Sequence, residues 1–297
     1  MAEILQKDGT WVFDGDALRL TPGRDKNVGL LRKTLGELVV PLGALAGISF
    51  EQGKRSGRLR LRLRDGADPL LHATGGRLSE PHDPYQLTVE SDRYGVAEYF
   101  VDEVRNALLL DQVPADPVDG YLLPGPAVPL SVSAGDGTAS FDGEHIRLEW
   151  NWKTEDAKAS AGTRTIAVTD VVAVEWQPAA GLENGHLRFT VRHAPTKAPP
   201  KYDPNAVELW GFRKDALMAL VAAAVQARIP HPARAAAVDV PAKKDLRPKT
   251  PSPPVAPAED GHDALLRRLR ELGELHRTGV LTDEEFTMAK QAVLKGM

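Results

Sequence analysis

The 297-residue chain contains no cysteine. Disulfides, thiolate nucleophiles and cysteine-ligated zinc or iron-sulfur centres are thereby excluded, and nothing in the composition argues for export. Aromatic residues make up only 6% of the chain. No run reaches the roughly 18 apolar residues of a membrane span, and MAEILQKDGTW at the N-terminus lacks the basic segment and apolar core of a secretory leader. A cytoplasmic protein with no transmembrane segment is expected. An excess of one charge is lacking too: 37 Lys and Arg stand against 41 Asp and Glu, a net charge of -4, so no overall field draws the chain to nucleic acid. At 297 residues the chain exceeds what one packed core usually takes, and two or three domains are expected.

Catalytic signatures are equally scarce. None of the 8 histidines belongs to an H-E-x-x-H or another pair at metal-ligand spacing. His186 and His193 flank one strand at opposite parity and read as surface residues. GISFEQGKR (47–55) has five residues between its glycines instead of four, and Arg55 stands where a Ser or Thr should hold magnesium, so it is not a nucleotide loop. No serine lies in a G-x-S-x-G setting, and the pair Glu284-Glu285 belongs to a helix start. No catalytic residue, metal site or cofactor is expected, and the chain reads as a non-enzyme.

What the chain does contain is a duplication. DGTWVFDGDALRL (8–20) returns as DGTASFDGEHIRL (136–148) with eight of thirteen positions identical, at an offset of 136 − 8 = 128. VVPLGALAGISF (39–50) then matches TIAVTDVVAVEW (165–176), and GRLRLRLR (57–64) matches GHLRFTVR (185–192). Each repeat proceeds through an Asp-Pro step, at Asp83 and at Asp203, to a short strand and a closing helix. Val96, Phe100, Val104, Ala107 and Leu108 follow helical spacing in the first, as do Leu217, Leu220, Val221, Ala224 and Val225 in the second. Asp14-Gly15 and Asp142-Gly143 suit the positive backbone dihedrals of a two-residue hairpin turn, with Phe13 and Phe141 covering one end of a core.

These patterns predict a mainly β (α+β) chain with two tandem bent antiparallel sheets or open barrels, each closed by a C-terminal helix. The expected domains are residues 1–110, a Pro-rich spacer over 111–127, residues 128–229, a disordered Pro/Ala-rich tether over 230–261, and a helical hairpin over 262–297. Each repeat is expected to own a core and to fold alone.

Two stretches carry functional content. In RSGRLRLRLRD, Arg58, Arg60, Arg62 and Arg64 alternate with leucines, so the guanidinium groups share one strand face at a spacing of about 6.6 Å and form an anion-attracting ridge. The competing reading is a solvated face whose arginines pair with nearby carboxylates. The second repeat dilutes this ridge to His186, Arg188, Thr190 and Arg192. In the tail, Leu265, Leu269 and Leu272, with Leu266 and Leu275 beside them, form an apolar stripe before Gly279. Thr282 and Glu285 then make a capping box for a helix whose apolar face is Phe286, Ala289, Val293 and Leu294. Two helices of this length bury too little to stand alone, so the stripe through Leu265, Leu269, Leu272, Phe286 and Val293 is expected to mediate oligomerisation.

The order of DG hairpin, VVPL..LAGISF strand pair, GRLRLRL strand and closing helix resembles the bacterial pleckstrin-homology-like fold. As a tandem it is similar to the actinobacterial family known as domain of unknown function 4429, over about residues 3 to 110 and 128 to 229. The tail resembles the SHOCT (short C-terminal) module at Leu269, Leu272, Gly279, Leu281, Thr282, Glu284, Glu285, Phe286, Lys290 and Leu294. These resemblances imply a non-catalytic interaction or scaffold protein. The tandem modules would recognise a protein or peptide partner, and the tail would join copies of the chain or attach a partner. The alternative is an anionic ligand or lipid headgroup on the arginine strand. Eukaryotic relatives of the fold often bind phosphoinositides through a basic first hairpin, whereas Asp14-Gly15-Asp16 is acidic here, which argues against inherited lipid recognition.

Overall fold

A computed structural model describes residues 1–193, 195–196 and 198–234. The first repeat runs β1 (Ala2–Gln6), β2 (Gly9–Phe13), β3 (Ala17–Pro22), α1 (Leu30–Leu35), β4 (Leu38–Pro41), β5 (Leu45–Glu51), β6 (Ser56–Leu63), α2 (Pro69–Thr74), β7 (Gln86–Glu90) and α3 (Tyr94–Leu110). The second runs β8 (Leu130–Ala134), β9 (Gly137–Phe141), β10 (His145–Trp150), α4 (Asp156–Ala159), β11 (Arg164–Ala167), β12 (Val171–Gln177), β13 (Gly185–Val191), β14 (Ala206–Leu209) and α5 (Met218–Gln226). The result is a mainly β chain with four antiparallel sheets. β1-β2-β3-β4 and β5-β6-β7 form the first repeat, and β8-β9-β10-β11 and β12-β13-β14 the second. No helix among the described residues is long and apolar enough to cross a membrane. The expected hairpin over 262–297 lies outside the described residues, as does most of the tether before it.

Strand alternation sets what is buried. In β2 the side chains of Trp11 and Phe13 enter the first core, and in β9 Ala139 and Phe141 enter the second. The turn after each is longer than the two-residue hairpin expected. Only Gly15 and Gly143 take positive φ, at 117° and 113°. The preceding carboxylate closes the loop instead: Asp14 Oδ1 accepts the backbone N–H groups of Asp16 and Ala17, and Asp142 Oδ1 those of Glu144 and His145.

The closing helices differ in a way that sequence spacing did not disclose. Helix α3 is amphipathic, burying Ala97, Phe100, Val101 and Val104 while Tyr99, Leu109 and Leu110 stay exposed. Every residue of α5 is buried. Its outer face is covered by the first repeat, since Leu31 of α1, Leu70 and Ala73 of α2, and Leu78 all join the core of the second. Repeat two therefore does not own its whole core, contrary to the expectation of two self-sufficient units. Helix α2 is defined by its ends: Asp68 accepts from the N–H groups of Leu70 and Leu71 at 3.0 Å, Pro69 opens the first turn, and Gly75 closes it at φ 56°. The segment after α3 is packed as well. Leu123 is buried, and Val118, Leu122 and Leu123 donate backbone hydrogen bonds to Asp65 and Ala67.

Candidate functional site

The strand β6 alternates as expected, with Leu59, Leu61 and Leu63 buried and Arg58, Arg60 and Arg62 on the opposite face. Across the sheet, Glu51 and Thr88 flank Arg58, Ser49 and Gln86 flank Arg60, and Gly47 flanks Arg62. The four arginines do not act alike. Arg58 pairs with Glu80 at 2.6 Å. Arg64 lies just past the strand and donates to the carbonyls of Asp116 and Gly43 at 2.8 and 3.0 Å, which fixes the segment after α3 rather than a ligand. Among the described residues no carboxylate lies within ion-pairing distance of Arg60 or Arg62; the Arg62 guanidinium reaches only the Ala46 carbonyl, at 3.3 Å. Both face a groove of about 500 Å³ that Ser49, Asp83 and Gln86 also line. Arg60 Nε and Gln86 Oε1 are buried there without a hydrogen-bond partner.

In the second repeat the arginine at the same place is paired. Arg188, the counterpart of Arg60, lies 3.1 Å from the carboxylate of Asp203, a fully buried residue, and donates to the Ala198 carbonyl at 2.7 Å. Glu175 stands where the first repeat has Ser49, opposite Arg188 in the register. It also reaches across to Arg77 of the first repeat at 3.2 Å. His186 is no surface residue: it lies on the central strand β13 between Gln177 and Glu208, 3.9 Å from the Glu175 carboxylate, and is buried. Burial, reinforced by the Arg188 charge, holds its imidazole below the ordinary histidine value.

Beneath both faces lies a structural device that spacing alone did not reveal. Asp8 Oδ2 accepts the backbone N–H of Thr88 on β7 at 3.0 Å, and Asp136 Oδ1 accepts that of Glu208 on β14 at 2.8 Å. In each repeat this carboxylate ties the four-stranded sheet to the outer edge of the three-stranded one. Each also has a buried cation, Arg32 at 3.7 Å from Asp8 and Lys158 at 2.6 Å from Asp136. The Lys158 ammonium is wholly enclosed, donating to the Pro200 carbonyl and lying 4.4 Å from the centre of the Trp150 ring. Burial pushes the Asp136 carboxyl above the usual carboxylate range and the Lys158 ammonium below its usual value. The sequence does carry a signal for it: Asp8 and Asp136 are the first identical pair of the duplicated stretch.

Among the described residues no three His, Asp or Glu side chains gather as a metal site. Leu265, Leu269, Leu272, Phe286 and Val293 lie outside the described residues. The family profile "Domain of unknown function (DUF4429)" matches residues 11–105 and 139–226, one segment in each repeat. No curated protein matches the chain.

Proposed function

Because the chain belongs to the DUF4429 family and carries its unit twice, we propose that it is a non-catalytic interaction protein whose first repeat recognises an acidic segment of a protein partner. The second repeat serves as its buttress. The observation that carries this reading is the difference between the repeats at one place. Arg188 pairs with buried Asp203, whereas among the described residues Arg60 and Arg62 make no ion pair and face an open groove in which Asp83, the counterpart of Asp203, accepts from Gln86 instead. A polypeptide with alternate Asp or Glu side chains matches guanidinium groups about 6.6 Å apart, because both follow the two-residue period of extended chain. The order of four strands, three strands and closing helix supports likeness to the pleckstrin-homology-like fold. In the tail, residues 262–297 read as a SHOCT-like hairpin that joins copies of the chain or a partner.

The test is binding of a fluorescein-labelled poly-glutamate peptide to the full chain, followed by anisotropy across a salt series. Arg60→Gln with Arg62→Gln should weaken it at least about tenfold, with a reduced salt dependence, while Arg58→Gln leaves it nearly unchanged. Equal binding by all three proteins would remove the reading. Tighter binding of inorganic phosphate than of peptide, lost in the same double variant, would favour the alternative of a phosphate or headgroup site on the same arginines.

A further inference from the structure

Beside Asp8 the first repeat has a cavity of about 290 Å³, and three of its lining residues correspond to groups around the Lys158 ammonium in the second. Asp8 corresponds to Asp136, which holds that ammonium at 2.6 Å. Glu80 corresponds to Pro200 and Thr88 to Glu208, at the offset 200 − 80 = 208 − 88 = 120 that also relates Asp83 to Asp203. The Pro200 carbonyl accepts from Lys158 at 3.1 Å, and the Thr88 and Glu208 N–H groups each donate to their aspartate. Trp150, whose ring centre lies 4.4 Å from the ammonium, is replaced by Pro22: Trp150 pairs with Gly137 and Pro22 with Gly9. The second repeat thus fills with its own lysine and indole the place where the first has a cavity.

Arg32 is a looser partner than Lys158. It approaches the Asp8 carboxylate only to 3.7 Å and gives its hydrogen bond to the Asp8 backbone carbonyl at 3.0 Å. Asp8 Oδ1 is left buried without a hydrogen-bond partner. Asp8, Asp25, Glu80 and Glu90 line the cavity against Lys7 and Arg32, and Lys7 is bound to Glu90. Arg58 reaches Glu80 from outside the wall, and Lys33 donates to the Asp25 backbone carbonyl at 2.7 Å; among the described residues the Asp25 carboxylate makes no ion pair. Arg24 and Lys26, beside Asp25 in the chain, do not line the cavity, and neither do Asp83 and Asp92, whose charges reach Arg32 and Lys7. Gln6 Nε2 is unpartnered as well, but it is neutral, so the lining carboxylates decide the sign of a ligand. The Gly29 N–H donates to the Pro81 carbonyl at 2.7 Å, which fastens the two loops that wall the cavity to each other.

We propose that this cavity binds a primary ammonium group on an alkyl stem, which takes in the first repeat the place that Lys158 fills from within the second. The ammonium donates to Asp8 Oδ1 and to the Asp25 and Glu80 carboxylates, charge-assisted bonds that a neutral ligand of the same shape does not make. Pro81 lines the cavity too and gives the stem an apolar surface. A metal ion is the poorer fit, because among the described residues no three carboxylate or imidazole groups gather at coordinating separation. The site does not rest on the reading of the arginine groove: Gln86 lines the groove, and Thr88, two residues along β7, lines the cavity.

Titration of the isotopically labelled full chain with n-butylammonium, followed by NMR at low salt, tests it. Saturable shifts are expected at the Gln6 side-chain amide and at the Asn27 and Thr88 backbone amides, and they should weaken as salt is raised. Asp25→Asn should weaken binding at least about fivefold and Asp8→Asn more. Asp8 also ties the two sheets together, so Asp25→Asn, which has no such tie, carries the decision if Asp8→Asn lowers the melting temperature. Arg60→Gln with Arg62→Gln should bind the amine as the parent does. The absence of saturable shifts, equal shifts with n-butanol or with magnesium chloride, or an affinity unchanged in Asp25→Asn overturns the proposal. Two further probes identify the source of the ammonium: tighter binding of α-N-acetyl-lysine amide than of spermidine assigns the site to a lysine of a protein partner, and the reverse order assigns it to a free polyamine.

Discussion

Replacing Lys158 with Met should be among the most damaging single changes to the described part of the chain. The side chain is fully enclosed and its ammonium sits 2.6 Å from Asp136, which is itself 2% exposed. Met keeps the volume and removes the charge. Asp136 is then left as a buried carboxylate supported by the Glu208 N–H alone. Leaving one member of such a pair uncompensated costs about 3–5 kcal/mol. With a melting shift of about 2–4 °C per kcal/mol for a unit this size, the expected drop is roughly 6–20 °C. Thermal and urea denaturation of the full chain measures it. Asp136→Asn in the Lys158→Met background should recover more than half the loss, because a neutral amide oxygen still accepts the Glu208 N–H without a buried charge. In the first repeat, Arg32→Met should cost less, about 1–3 kcal/mol, since Asp8 keeps 18% side-chain exposure and borders a cavity of about 290 Å³. A Lys158→Met loss below about 1 kcal/mol, or an equal loss at both sites, would refute the reasoning that enclosure of the pair sets its contribution.

Leu70→Ala, in the helix that covers α5, should destabilise the second repeat by about 2–5 kcal/mol, read by urea denaturation followed through Trp176 emission. Residues 126–230 produced alone should bind a hydrophobic dye and lose cooperative melting, while a sharp transition equal to that of the full chain would show that α5 needs no cover. Stability should fall as pH drops below about 6.5, because the unfolded chain takes up a proton at His186 before the folded chain does. His186→Gln should reduce the slope of melting temperature against pH between about 7 and 5, leaving the part that His72 and His82 contribute, and an unaltered slope would assign the dependence to those two. Sedimentation should find an oligomer for the full chain and a monomer for Leu269→Asp with Leu272→Asp; an oligomer retained by that variant would move the interface to the repeats.

Much of the architecture was legible because duplication supplies an internal alignment. Matching strands, Asp-Pro steps and helix faces reinforce one another at a constant offset, and β6 showed its buried leucines through strict alternation. Helix α2 was missed although Asp68-Pro69 and Gly75-Gly76 bracket it with ordinary start and stop signals. Its six residues are too few for periodicity to register. A second trace was present: the offset between repeats falls from 128 at Gly57 and Gly185 to 120 at Asp83 and Asp203, so the first repeat holds eight extra residues where α2 lies. The ridge of four arginines was visible, but its division into two paired and two open members depends on Glu80, Asp116 and Gly43, which folding brings from elsewhere in the chain. Burial of His186 and Lys158 escaped for the same reason, since no local pattern distinguishes a polar residue that meets a distant carboxylate from one that meets water.

The cover that α2 gives to α5 fixes the order of the two repeats. Only the leading repeat carries the eight-residue insertion, and only the trailing one has a closing helix apolar on every side, Met218-Ala-Leu-Val-Ala-Ala-Ala-Val-Gln226. Exchanged along the chain, the inserted helix would follow the surface it must shield and would be tethered from the wrong end. A third unit appended after the second would find no insertion in its predecessor and would need a closing helix with a polar outer face, as α3 has. The two repeats are thus a directional pair, ordered by a helix that only the leading member carries between the second and third strands of its three-stranded sheet.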